Sequence, residues 1–148
     1  MATKTFTSFV QLEAMMNQCI TQAVGITCNK LLAKLQELIE LEYYNAYDTE
    51  TYNRSYQFYK SAMTEMLSST SGMIFMNPDA MDYPFSGRGW SWDGATQIIE
   101  ANEGVHGGWS TTESLQHRYW DEFEIYCDKN ALKILKQELV KQGLKPSK

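Results

Sequence analysis

A tyrosine-rich segment, residues 43–61, is the feature that most constrains the fold of this 148-residue chain. It holds six of the nine tyrosines. Apolar residues recur at helical spacing before it, whereas two short runs with β character follow it. Asp48 and Asn53, with neighbouring threonines, favour a turn inside it. The segment therefore divides the chain into a helical part and a part that contains a small sheet, which is an α+β arrangement.

The residues before this segment predict a long amphipathic helix. Ser8 followed by Gln11 matches a capping box, which places the start of the helix. Apolar residues follow at three- and four-residue spacing as far as Tyr44, and Gly25 lowers the helix propensity at one point. We therefore expect one long helix, or two helices that meet near Gly25. A helix of this kind must lie across an apolar surface, either a sheet or a neighbouring subunit.

The residues after the segment predict a hairpin and then a long loop. The apolar runs 62–67 and 73–76 flank a Ser/Gly turn, which is typical of two antiparallel strands. Residues 79–95 contain many turn residues and predict a long loop, of a length that is often functional. Residues 96–100 predict a short strand or a helical turn.

The C-terminal part predicts two helices. Residues 114–127 carry apolar side chains at helical spacing, and Asp128 or Asn130 is expected to cap a last helix that Gly143 ends. The expected fold is a single α+β domain over residues 1–148. It has a long N-terminal amphipathic helix packed on a small antiparallel sheet, a C-terminal helix pair and a short tail at 144–148.

The chain lacks the motifs of the common enzyme classes. It contains no HExxH, P-loop or GxSxG sequence. His106 and His117 are not arranged with carboxylates or thiols at metal-ligand spacing. The three cysteines include no CxxC pair and are expected to be reduced thiols. We therefore predict no catalytic residue, no cofactor and no metal site.

Charge and hydropathy limit the cellular location and the kinds of partner that the sequence predicts. No apolar run approaches the roughly 20 residues that cross a bilayer, and no secretory leader is recognisable, which predicts a soluble protein made inside a cell. Residues 1–128 carry a net charge of −10, and residues 129–148 a net charge of +5. This division favours contacts between copies or with a partner, although lysines near a helix C-terminus also complement the helix dipole.

Aromatic residues in the predicted loops are candidates for an interface. Trp90 and Trp92 are two residues apart, so in an extended segment both side chains lie on the same side. They would bury either against another chain or against the subunit's own sheet, and the sequence leaves both readings open. The residues selected as interface candidates are Tyr47, Tyr52, Arg54, Tyr56, Trp90, Trp92, His106 and Trp109.

The order of these segments resembles a known family. The long helix is followed by Tyr52-x-Arg54-x-Tyr56 with Ser61, then by the hairpin, and then by an Asn-x-Gly-x-His-Gly-Gly segment at residues 102–108. A Trp-x-x-Phe sequence and a lysine-rich leucine repeat at 132–139 complete the pattern. This arrangement is similar to the tail-completion or head–tail joining proteins, the minor structural neck proteins of long-tailed phages of Gram-positive bacteria.

The resemblance implies a structural virion protein rather than an enzyme. Such a protein would form a homo-oligomeric ring in the neck, assembled in the host cytoplasm, between the capsid connector or head-completion protein and the tail terminator or tail tube. DNA would pass through the ring without specific binding, and no membrane would be involved. Two alternatives remain: a small intracellular protein-binding module of the host-takeover or antitoxin kind, and an enzyme that uses His106 with Glu103 or Glu100.

Overall fold

A computed structural model describes residues 7–45, 55–81, 94–103, 105–106, 110–111 and 118–144 of the chain. Its first and longest element is helix α1 (Phe9–Leu38), which a π-helical turn (Ile39–Tyr44) continues. α1 is unbroken at Gly25, so the single-helix alternative is confirmed, and the helical segment ends at Tyr44 as predicted.

Ser8 caps α1, as its spacing from Gln11 predicts. The Ser8 hydroxyl accepts a hydrogen bond from the backbone N–H of Gln11, 3.3 Å away. In return, the side-chain oxygen of Gln11 accepts from the backbone N–H of Thr7 at 3.1 Å, one residue before the usual capping-box partner. Two otherwise unpaired backbone donors at the start of the helix are satisfied in this way.

The predicted hairpin is confirmed. A short helix, α2 (Gln57–Ser61), leads directly into strand β1 (Ala62–Met66), which pairs with the antiparallel strand β2 (Gly72–Met76). Ala62 lies opposite Met76, and Met66 lies opposite Gly72 at the turn end. The hairpin packs on α1, and a Cβ added to Gly72 would collide with the Cys28 sulfur of that helix. Glycine at this position therefore allows strand and helix to approach closely.

Both ends of the loop predicted at 79–95 carry helical structure. Residues Pro78–Ala80 form a 3₁₀ turn, and helix α3 (Gly94–Glu103) begins before the predicted loop ends. The segment 96–100 was predicted as either a short strand or a helical turn, and the structure shows that it is helical. A Cβ on Gly94 would overlap the backbone carbonyl of Pro78, so glycine is needed where α3 meets the 3₁₀ turn. Residues 82–93 lie outside the described ranges.

The two helical runs at the C-terminus form one continuous helix, α4 (Tyr119–Lys141). No glycine or proline interrupts these residues. Instead of capping a new helix, the Asn130 side chain donates to the backbone carbonyl of Tyr126, one turn earlier, at 2.9 Å. Between α3 and α4, two short strands, β3 (Val105–His106) and β4 (Ser110–Thr111), form a second antiparallel pair.

Gly143 ends α4 as predicted. It adopts a left-handed conformation with φ of +88°. Its backbone N–H donates to the carbonyl of Val140 at 3.0 Å, and the N–H of Leu144 donates to the carbonyl of Leu139 at 2.9 Å. These two bonds make up a Schellman motif, which satisfies carbonyls that the helix end would otherwise leave unpaired.

The core lies where α1, the hairpin and α4 meet. α1 packs along α4, and its C-terminal half supplies most of the buried leucines. The apolar cluster at this junction contains Leu31, Leu35, Leu38, Ile39, Tyr44, Phe58, Ala62, Met81, Ala101, Tyr119 and Phe123. The observed architecture confirms the predicted α+β class, with a long N-terminal helix on a small antiparallel sheet.

Candidate protein-interaction surface

Aromatic rings hold the end of α1, the start of α2 and the start of α4 together. We call the rings of Tyr43, Tyr44, Tyr56, Phe58 and Tyr119 the aromatic joint. The Phe58 ring is fully buried, with its centroid 4.7 Å from that of Tyr43 and 5.3 Å from that of Tyr119. Tyr43 and Tyr44 meet edge to face at 5.1 Å. Ring pairs in such geometries contribute free energy in addition to that of the apolar area that they bury. The aromatic joint therefore fixes three elements to one another.

The π-helical turn explains how two consecutive tyrosines both reach the joint. Hydrogen bonds in this turn span five residues, as in the bond from the Asn45 N–H to the Glu40 carbonyl at 2.9 Å. This geometry brings Ile39 and Tyr44, five residues apart, to the same buried face. The Tyr44 hydroxyl then accepts a hydrogen bond from the backbone N–H of Tyr59 at 3.3 Å.

Among the predicted interface residues, Tyr56 is the one whose side chain the structure describes. Its backbone is left-handed, with φ of +55°, which is uncommon for a bulky residue. Its ring packs on Tyr44, with centroids 4.9 Å apart, and the residue remains exposed. Ser61, part of the same sequence pattern, is buried and donates to the carbonyl of Phe58 at 2.7 Å. Its hydroxyl therefore has a structural role.

The other predicted interface residues are not brought together by the described structure. His106 lies in β3, where it is paired in register with Ser110, and its side chain is not described. The remaining six lie outside the described ranges, and their assignment stays a prediction: Tyr47, Tyr52, Arg54, Trp90, Trp92 and Trp109.

Asn102, which begins the glycine-rich segment of His106, has structural partners. Asn102 caps α4: its side-chain oxygen accepts from the backbone N–H of Trp120 at 3.1 Å, and its amide donates to Asp121 at 3.3 Å. Glu103 is exposed. Within the described ranges, no group of three or more metal-ligating side chains comes together. These contacts assign Asn102 of the glycine-rich segment to folding. The side chains of His106 and Glu100 are not described, so the alternative of an enzyme that uses them stays a prediction.

The cysteines do not form a reactive centre. All three are free, and Cys28 is buried against the hairpin. Burial raises the pKa of the Cys127 thiol, and the nearby carboxylates of Asp128 and Glu124 raise this pKa further. Since the thiolate is the nucleophile, these surroundings disfavour the reactive form of Cys127. The thiol of Cys19 donates to the backbone carbonyl of Gln142 at 3.6 Å.

A compact ion cluster joins α1 to the end of α4. The Glu138 carboxylate, which is almost fully buried, accepts from the ammonium of Lys30 at 2.6 Å and from that of Lys141 at 2.8 Å. These hydrogen bonds, first that of Lys141 and then that of Lys30, hold the pKa of Glu138 below its ordinary value. A buried carboxylate with two cationic partners is satisfied, so this cluster pins the two helices in register.

Sequence reasoning missed an exposed surface at the start of α1. None of the residues from Phe9 to Gln22 is buried, and we call this segment the α1 tip. Phe9 is 78% exposed, Val10 71% and Met16 41%. One property of the sequence could have indicated it: between Phe9 and Asn29 the only charged residue is Glu13. A solvated helix face normally carries more charge, so this surface is typical of a protein-interaction site.

Comparison with known protein families, with curated proteins and with solved structures finds no match to this chain. Among the described residues, no helix has both the length and the apolar character needed to cross a membrane.

Proposed function

We propose that this chain is a structural virion protein of the phage neck, which forms a ring that joins the capsid connector to the tail. The observation that carries the proposal is the α1 tip, a segment of about 20 Å in which no residue is buried and which meets the end of α4 at Cys19. The resemblance of the sequence to phage neck proteins indicates that the assembly is a ring. The tip supplies a surface through which a subunit of such an assembly would be held.

The exposure of this surface argues for a protein partner rather than for a small ligand. Large apolar side chains on the tip, among them Phe9 and Met16, lie in water in the isolated subunit. Fully burying a side chain of this kind contributes about 1.5–3 kcal/mol of free energy, so a complex in which a partner covers these side chains is stabilised. Methionine adapts its shape to a facing surface, which suits contacts that form during assembly.

The charge of the chain fits a conduit for DNA. Residues 1–128 carry a net charge of −10. Phosphate binding requires lysine and arginine, and an acidic wall repels the DNA backbone, so a ring lined by this part would let DNA pass without holding it. The partners under this proposal are further copies of the chain, the connector or head-completion protein on one side, and the tail terminator or tail tube on the other. No membrane takes part.

A deletion experiment tests the proposed role in joining. We expect a phage that lacks this gene to accumulate filled heads and separate tails in electron micrographs, with infectious yield restored by the wild-type gene in trans. A complementing copy with Phe9→Ser and Met16→Asp should express and fold but fail to restore yield, whereas Leu67→Ser, an exposed change in the hairpin turn, should restore it. Joined, infectious particles from the deletion strain would contradict the proposal.

The α1 tip also suits a small protein-binding module that captures one cellular partner. Such a module acts in the cytoplasm and is not incorporated into particles. The two functions therefore differ in where the protein is found after assembly, and deletion of a host-directed module leaves the joining of heads to tails unchanged.

A further inference from the structure

We propose that the α1 tip of one copy binds the outer face of α4 of a second copy. The outer face of α4 is the side that presents Ile125, Leu132 and Val140 to solvent. This inference deepens the proposed function, because it names the contact between copies, and it rests on that function in taking the partner to be another copy of the chain.

The tip continues the face by which α1 packs into its own core. Ala23, Thr27 and Leu31 are buried at four-residue spacing along α1. Ile20 and Met16 precede Ala23 at three- and then four-residue spacing and therefore lie on the same side of the helix. The core-facing stripe thus runs on past the point where the subunit covers it, into a segment where no residue is buried.

The end of α4 meets the α1 tip near the C-terminal end of the tip. The end of α4 lies beside Cys19, where the Gln142 carbonyl accepts from the cysteine thiol. The turn end of the hairpin lies beside Gly25, 3.9 Å from the Met66 sulfur to an added Cβ. Beyond Cys19, α1 continues for ten residues toward its start, Phe9–Gln18, and none of these residues is buried.

The outer face of α4 is a matched receiving surface. Leu132 is 63% exposed, and Ile125 and Val140 are more than half exposed. Their spacing of seven and eight residues places them in one row, on the side of α4 away from the buried Phe123 and Glu138. The row spans about 22 Å, close to the roughly 21 Å of the α1 tip. Two helices of this length can pack along one another with the apolar rows in contact.

Charge selects this pairing over one between two α1 tips. Glu13 is the single charge on the tip. Residues 129–136 of α4 carry the exposed lysines Lys129, Lys133 and Lys136, whereas the exposed acidic residues of α4 precede them at residues 121–128. A tip placed on α4 brings Glu13 near opposite charges. Two tips paired with each other would instead bring both Glu13 carboxylates near the middle of the same apolar contact, where like charges are unfavourable.

The contact is between two different surfaces, so each copy can give its tip to one neighbour and receive the tip of another. Such a head-to-tail contact closes into a ring or continues as a filament, and it does not stop at a dimer. A contact between two identical surfaces would instead form a dimer and go no further. This difference allows a mixing experiment to test the pairing.

Sedimentation velocity of the purified full-length chain, with and without substitutions, provides the test. We expect wild type to form oligomers larger than a dimer as its concentration rises. Met16→Asp, which breaks the tip, and Leu132→Asp, which breaks the receiving face, should each remain monomeric. Mixed in equal amounts they should form a one-to-one dimer, because each retains the surface that the other lacks. Circular dichroism and melting curves check that each variant folds, with Phe9→Ser as a second tip variant.

A charge exchange tests the same contact independently. Glu13→Lys should weaken the association about tenfold, and a partner with Lys129→Glu and Lys136→Glu should restore it. Wild type that stays monomeric up to its solubility limit overturns the inference, as does a mixture of the two aspartate variants that remains monomeric. Any of these failures leaves the neck assignment standing if deletion of the gene still leaves heads and tails unjoined. If deletion has no effect but the mixed variants pair, the contact stands and the neck assignment fails.

Discussion

At the scale of single residues, the glycines of this chain have different roles that the structure separates. Gly25 lies in the middle of α1, where glycine lacks helix propensity, and an added Cβ would make only an ordinary contact with the Met66 sulfur. Gly94 lies where α3 meets the backbone of Pro78 and leaves no room for a Cβ. The sequence could predict the first effect, because it is local. The second depends on two segments that are sixteen residues apart in the chain.

Opposite results are expected for alanine at these two glycines. Gly25→Ala should stabilise the fold by about 0.5–1 kcal/mol, because alanine favours the helix and restricts the unfolded chain. Gly94→Ala should destabilise it by about 1–3 kcal/mol, because the methyl group forces α3 away from the 3₁₀ turn. Urea unfolding at equilibrium measures both. Similar destabilisation by both changes would show that α1 cannot accept a methyl group at Gly25.

The ion cluster of Glu138 predicts a dependence of stability on pH. The pKa of this carboxyl is lowered in the folded protein, so its contribution is fully present above the ordinary value near 4.5 and is lost progressively as the pH falls from that value through the lowered pKa of the folded state. Glu138→Gln should therefore lower the melting temperature at neutral pH. The difference from wild type should shrink in acid, where Glu138 becomes protonated.

Glu37→Gln is the matched control for this experiment. It removes an exposed ion pair of α1, in which the Glu37 carboxylate lies 2.8 Å from the Lys34 ammonium. Exposed pairs contribute little, so the melting temperature should hardly change at any pH. If Glu138→Gln behaved like this control, the buried carboxylate would have no role in holding α1 to α4.

At the scale of secondary-structure elements, the sequence predicts most of what is local. Ser8, Gly143 and the Ser/Gly turn between the two apolar runs mark ends that the structure confirms. The continuity of α4 was missed, because Asp128 and Asn130 are typical caps and only the packing of the flanking turns shows that they lie inside a helix. The π-helical turn was also missed, since it follows from the packing of Tyr43 and Tyr44 rather than from a local preference.

The aromatic joint predicts a large effect of a single substitution. Phe58 is fully buried and its ring contacts both Tyr43 and Tyr119, so Phe58→Ala should cost about 3–5 kcal/mol of unfolding free energy. Chemical denaturation followed by near-ultraviolet circular dichroism would report the loss, since the tyrosines of the joint change environment. Leu67→Ala, at an exposed position in the hairpin turn, should change the free energy by less than about 0.5 kcal/mol. Equal costs for the two would mean that the joint does not hold α2 against α4.

At the scale of the whole molecule, the described residues divide into a packed body and the α1 tip. The core cluster gathers the C-terminal half of α1, the hairpin, α3 and α4, whereas the α1 tip extends beyond them. The sequence indicated that such a helix needs an apolar surface but left open whether a sheet or a neighbouring subunit provides it. The structure places the sheet against the middle of α1, so the neighbouring subunit is the surface that we propose for the tip. Trp90 and Trp92 lie outside the described ranges, so their place in an interface stays a prediction from the sequence.

If this protein is a structural part of the phage neck, it remains in the mature particle, so the composition of purified virions decides whether the proposed function is right. Quantitative mass spectrometry of gradient-purified virions should find the chain in a fixed ratio to the other neck and tail proteins. Particles that contain those proteins but lack this chain altogether would contradict the account.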